Sequence, residues 1–235
     1  MRPFLRGVTI AGLLSAAVLP LTAQSTDHPP VTVANVTSVA AAGVVLVVPR
    51  ALNWHARYPS CAPCDRESIP FFDRWAVANP RAGFSTASDL LRAGLAIASW
   101  IDLAGNGRAG QSAIAASVES LAWTEALTHL FKNVAARNRP VMYTDQAVSA
   151  NTSSLNHRSM PSGHTSTAFA IATSYWLSQR HLDHPGPAWV RWALLAGATG
   201  VGVLRVAAAK HFPSDVVTGA AVGIGTTILV HTIRF

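Results

Sequence analysis

From residue 85 onward the chain is a succession of apolar runs at helical spacing, and the last of them constrains the fold most. Residues 216–233 contain eighteen positions without an Asp, Glu, Lys or Arg, close to the roughly 20 that a bilayer crossing needs. Residues 163–179 are comparably free of charge. No alternating strand pattern and no internal repeat competes with this periodicity. The predicted class is all-α, a helical bundle with runs near 88–103, 108–132, 163–180, 188–207 and 214–233. A glycine-rich stretch, 102–110, separates the first two runs, and 181–187 separates the third from the fourth.

Three of these runs carry Asp89, Arg92, Glu119, Glu125 or Arg191, unusual cargo for lipid-facing helices. Parity still favours a membrane. If the five runs span, Arg108, Arg180, Arg191 and Arg234 fall on one side, while the stretches around Lys132 and Arg205 fall on the other. On the positive-inside rule the first side is expected to be cytoplasmic. Half of the residues are apolar and 12% charged, with a mean hydropathy of +0.29. A membrane-embedded bundle with an outward-facing site is therefore expected over a soluble periplasmic one.

The formal charge of +7 suits phosphates or acidic lipid surfaces. No dense basic run interleaved with aromatics points to nucleic acid. Residues 1–23 read as an export signal: Arg2 and Arg6, an apolar stretch to Pro20, then Leu21-Thr22-Ala23. Cleavage is expected slightly over retention as an anchor. Residues 24–84 form an extracytoplasmic segment, and 85–235 the helical core. In the upstream segment, 36–48 is an apolar run too short to span, and 50–84 is a surface excursion. Phe71, Phe72 and Trp75 are expected to pin that excursion to the bundle. Cys61-Ala62-Pro63-Cys64 lacks the neighbours of a redox or zinc motif, with only His55 and Asp65 close by. In an exported chain a local disulfide is the simplest reading, with untethered thiols the alternative.

Three stretches carry chemistry. Residues 205–215 run from the end of one helix to the start of the next. Pro213 belongs in the first turn of the second helix, which leaves His211 just outside it and Asp215 within reach. A carboxylate on one ring nitrogen fixes the tautomer and leaves the other nitrogen as a nucleophile. Residues 132–140 hold Lys132, Arg137 and Arg139, more positive charge than a helix C-terminus requires. Pro161-Ser162-Gly163-His164 opens another helix, with Ser162 a natural N-cap and unpartnered N–H groups suited to an anion. Each stretch alone has a bland explanation in capping or packing.

Their order is more specific. Lysine, six residues, Arg-Pro; then Pro-Ser-Gly-His; then Arg, five residues, His, three residues, Asp resembles the type 2 phosphatidic acid phosphatase family. Bacterial class A acid phosphatases and vanadium-dependent haloperoxidases share this signature. The resemblance covers about residues 85–233. It departs at Leu204, where the family usually has Ser, which bears on substrate preference. The resemblance implies that Lys132, Arg139 and Arg205 clamp phosphate oxygens with Ser162 and Gly163. It implies that His211 attacks phosphorus with Asp215 orienting it, and that His164 protonates the leaving group and then activates water. The implied substrate is a lipid phosphate or diphosphate of the undecaprenyl diphosphate or phosphatidic acid type. A soluble acid phosphatase, a haloperoxidase and a non-catalytic anion- or lipid-binding module are the alternatives. No cluster with metal-ligand spacing stands out, so neither metal nor cofactor is expected, and vanadate should inhibit.

Overall fold

A computed structural model describes residues 31–52 and 61–235. The predicted export signal and His55 lie outside the described residues. Seven α-helices occur among those described: α1 (Val33–Ala51), α2 (Ala82–Ala104), α3 (Gly107–Ala135), α4 (Ala147–Ala150), α5 (Gly163–Ser178), α6 (Ala188–Ala207) and α7 (Pro213–Arg234). Short 3₁₀ turns fill parts of the connections, and the described residues contain no strand. The all-α expectation holds: α2, α3 and α7 extend beyond the expected runs at both ends, α6 matches its run, and α5 stops two residues short at Ser178.

The run at 36–48 is the middle of a longer helix than its apolar content indicates. Thr32 and Asn35 exchange hydrogen bonds at its start: Thr32 N–H donates to Asn35 Oδ1 at 2.9 Å, and Asn35 N–H donates to Thr32 Oγ1 at 3.3 Å. That reciprocal cap satisfies first-turn donors and begins α1 at Val33.

Helix α5 is the centre of the bundle, packed against α2, α3, α6 and α7. Its small residues make this possible, because Ala168, Ala170, Ala172, Ser166 and Ser174 are all fully buried and let neighbouring backbones come close. The tightest approach is to α7, where a Cβ on Gly223 would stand 2.1 Å from the Ser166 carbonyl oxygen. Leu95, Leu103, Ile171, Tyr175, Leu194 and Val201 fill the space around α5.

The charges inside apolar runs turn inward or find partners. Glu119 of α3 is buried, accepts from Asn35 Nδ2 at 3.2 Å and pairs with Arg234 at 3.3 Å. Tyr175 donates to Asp102 at 2.7 Å. Paired in this way, such groups do not need to face lipid. Helices α6 and α7 are each long and apolar enough to cross a membrane. They leave Trp189, Trp192, Val203, Val217, Leu229 and Ile233 on the outer surface.

Residues 61–81 lie against the end of the bundle where α3 finishes and α5 and α7 begin. Cys61 and Cys64 form a disulfide. Cys64 N–H donates to the Met142 carbonyl at 2.8 Å, and Asn138 Nδ2 donates to Cys64 Sγ at 3.1 Å. Ile69 and Ala76 hold this stretch to the body by packing on Phe212. Phe71, Phe72 and Trp75 do not serve as the predicted pins, since Phe71 is 81% and Trp75 71% exposed. The reason is Asp73 in the same turn, which is fully buried and faces Arg137 and Ser214, so the flanking aromatics turn outward.

Candidate active site

Three helix ends meet in one place: the C-termini of α3 and α6 and the N-terminus of α5, with the start of α7 beneath them. Lys132 lies in the last turn of α3, and its ammonium donates to the carbonyls of Arg158 at 2.8 Å and Ser159 at 3.3 Å. Those bonds use two of its three donors. A Cβ on Gly163 would lie 3.9 Å from Lys132 Cε, so the lysine stem runs beside the first turn of α5. Ser162 occupies the N-cap position, but its side chain makes no capping bond; its hydroxyl accepts from Thr165 Oγ1 at 2.9 Å instead. The first N–H groups of α5 are left for another acceptor.

Two guanidiniums complete the positive lining. Arg205, buried in the last turn of α6, donates from one terminal nitrogen to Ser85 Oγ at 3.1 Å and Ser88 Oγ at 3.2 Å, both on α2. Arg139 follows α3 in an extended conformation. Among the described residues, the Nε donors of Arg139 and Arg205 are both buried without an acceptor. Buried donors of this kind are uncommon and costly unless an anion receives them. Burial, and then the Arg205 cation, push Arg139 down to about 10, and burial with Arg139 and Arg205 lowers Lys210. The chain's two lysines, Lys132 and Lys210, both belong to this cluster.

Two loops deliver these groups, and each starts from an alanine in the left-handed region, Ala136 at φ 43° after α3 and Ala209 at φ 53° after α6. A non-glycine residue there costs about 1–2 kcal/mol. Both loops therefore hold backbone strain next to the charged cluster.

The imidazole of His211 is fully buried beside the α7 N-terminus. Its Nδ1 lies 3.7 Å from Asp215 Oδ2, longer than the direct hydrogen bond the sequence predicts. That oxygen is already occupied, accepting from Phe212 N–H at 2.8 Å and from Ser159 Oγ at 2.6 Å. Ser159 Oγ also lies 3.5 Å from His211 Nδ1 and stands between the two. The other carboxylate oxygen of Asp215 accepts from Arg137 at 2.7 Å. Burial pushes the His211 imidazole well below the usual histidine range, and the nearby Lys132 and Arg139 cations add to this, outweighing Asp215. A buried, neutral ring with Nδ1 turned to the carboxylate presents Nε2 as a nucleophile.

His164, in the first turn of α5, pairs through Nε2 with Asp89 Oδ1 of α2 at 2.5 Å. The charges of Arg205 and Arg92 also act on it.

All eight predicted site residues apart from the cysteines gather here: Lys132, Arg139, Ser162, Gly163, His164, Arg205, His211 and Asp215. The motifs did not reveal Ser159, Asp89 or Asp73, nor that Arg137 binds Asp215. Asp89 had a visible signal, an acid inside an otherwise apolar helical run. Arg137 had one too, as surplus charge at the α3 terminus. Asp73 had none, because its partners lie far along the chain. Arg137 bridges Asp215 and Asp73 at 2.7 Å each, and these two carboxylates, outweighing burial, hold its guanidinium above its ordinary pKa.

A family model described as the PAP2 superfamily matches residues 113–235, just over half of the chain. A lipid A 1-phosphatase of Porphyromonas gingivalis is 43% identical over 67 residues. That alignment covers 28% of this chain and only 14% of the relative's length. No solved structure matches the chain.

Proposed function

Since the chain belongs to the PAP2 superfamily, we propose that it is a phosphatase of the cell envelope. In this reading it hydrolyses lipid phosphate or diphosphate esters at a membrane surface through a phosphohistidine. One observation carries the proposal: groups from three distant segments of sequence converge on a single buried cluster in which cations outnumber acids and the Nε donors of Arg139 and Arg205 lack acceptors. A bound phosphate would supply the missing acceptors and relieve the repulsion between these cations.

The chemistry follows from the placement. Lys132, Arg139, Arg205 and the α5 N-terminus hold the equatorial oxygens, where charge spreads during phosphoryl transfer. His211 Nε2 attacks phosphorus, and the bond from phosphorus to the leaving oxygen breaks. Asp215 stabilises the positive charge that develops on the His211 ring. His164 gives a proton to the leaving oxygen, and its Nδ1 is the nitrogen free of the Asp89 pair. In the second half His164 takes a proton from water, the water oxygen bonds to phosphorus, and the P–N bond breaks to restore neutral His211.

A lipid substrate is supported by the surroundings. Helices α6 and α7 are suited to crossing a membrane, and an apolar groove lined by Phe169, Val203, Val216, Val217 and Trp75 runs between them. The relative named lipid A 1-phosphatase points the same way. In this reading the site end of α3 and α6 faces outward from the cytoplasmic membrane.

The test is phosphate release by purified, detergent-solubilised protein from a lipid diphosphate, a lipid monophosphate and an aryl phosphate side by side. Release should be fastest from one of the lipids, be inhibited by vanadate, and vanish in His211→Ala. Absence of release from all three substrates would refute the proposal. Release from the aryl phosphate alone would reject the lipid assignment.

A further inference from the structure

We propose that Asp73 is a positioning residue for this site, acting through Arg137 to set the orientation and charge of Asp215. The inference rests on the reading of His211 as the nucleophile. Asp73 lies upstream of the matched region, in a turn between exposed aromatics, yet its side chain is fully buried. Its Oδ2 accepts from Arg137 at 2.7 Å and from Ser214 Oγ, and its Oδ1 accepts from Ser214 N–H at 3.1 Å. Arg137 reaches Asp215 Oδ1 with its other terminal nitrogen at 2.7 Å and donates from it to Ser214 Oγ at 2.6 Å. Its guanidinium is stacked 4.4 Å over the Phe212 ring.

This geometry has a specific effect on Asp215. A lone arginine facing a lone carboxylate tends to close a two-pronged fork and engage both oxygens. Asp73 takes one prong, so Arg137 binds Asp215 through Oδ1 only. Oδ2 is left to Phe212 N–H, Ser159 and the His211 side. Asp73 also neutralises part of the Arg137 charge, which would otherwise offset the negative charge that His211 needs as it becomes cationic. The bond from Ser214 N–H fixes the first turn of α7, one residue from Asp215. Without the Asp73 charge, Arg137 swings onto both Asp215 oxygens and draws the carboxylate away from the imidazole.

The test uses the full chain in detergent with Asp73→Asn, Arg137→Lys and the double variant. Calorimetry measures the affinity of orthovanadate, whose fifth ligand would be the His211 Nε2 lone pair. It also measures inorganic phosphate, which the cations alone would hold. Asp73→Asn should weaken vanadate at least tenfold, leave phosphate within about twofold, and lower kcat for an aryl phosphate with KM little changed. Arg137→Lys, a point charge too short to bridge both acids, should do the same. The double variant should be no worse than the poorer single.

Unchanged vanadate affinity in folded Asp73→Asn, equal weakening of both ligands, or additive losses would overturn the inference. If Asp73→Asn does not fold, Arg137→Lys carries the same comparison, and unchanged vanadate affinity there overturns it equally. A wild-type protein that binds vanadate but hydrolyses nothing refutes the phosphatase reading while the vanadate comparison still decides the role of Asp73. A wild-type protein that binds neither anion refutes both.

Discussion

Replacing Asp215 with Asn changes one charge and almost no volume, so it isolates the electrostatic part of the proposed mechanism. His211 Nδ1 lies 3.7 Å from Asp215 Oδ2, and both groups are buried. As Nε2 bonds to phosphorus, the ring acquires close to a unit of positive charge. Two unit charges near 4 Å interact by about 4 kcal/mol at an effective dielectric of 20. Losing that attraction in the transition state corresponds to roughly a thousandfold in kcat, at about 1.4 kcal/mol per factor of ten. The anion-binding groups Lys132, Arg139 and Arg205 do not depend on Asp215 for their placement, so KM should change by no more than about threefold. The assay is steady-state phosphate release from an aryl phosphate, with thermal melting to confirm folding. A folded Asp215→Asn variant retaining a tenth or more of wild-type kcat would show that the carboxylate does not support charge on His211.

Two further outcomes follow from the geometry. His211 is buried among Lys132, Arg139, Ser159 and Asp215, and its folded-state pKa is depressed. Below pH 6.5 the unfolded chain therefore binds more protons at this residue than the folded one, and stability falls as pH drops from that point. The melting temperature of wild type should decline more steeply between about pH 6.5 and 4.5 than that of His211→Gln, and parallel curves would contradict this. Gly223→Ala should destabilise by about 1–3 kcal/mol or more, since its methyl group would sit 2.1 Å from the Ser166 carbonyl oxygen. A denaturant midpoint equal to wild type would mean that α5 and α7 are less tightly joined than described.

The bundle was legible because its determinants are local. Apolar periodicity, Pro213 at the start of α7 and the glycines before α3 set the helices without reference to distant partners. The anion-binding groups were legible for a related reason: Lys132, Ser162 and Arg205 sit at helix termini, where sequence position alone indicates which way a backbone end faces. What sequence reading missed depends on pairing across the chain. Ser159 lies only two residues before Pro161, yet nothing in its own neighbourhood predicts that it bonds to Asp215. Asp73 meets Arg137 only after the upstream segment folds over the bundle. Phe71 and Trp75 were read as packing residues because large apolar side chains usually are. The turn that buries Asp73 instead presents them outward.

The stretch from Cys61 to Val77 gives the molecule a different working boundary from the one its motifs suggest. A fragment carrying every signature residue from Lys132 to Asp215 would still lack the acid that shares Arg137, the α2 hydroxyls that hold Arg205 and the carboxylate that meets His164. Grafting those motifs into another scaffold would transfer the reactive groups without their supports. The smallest portable unit must reach upstream at least as far as Asp73.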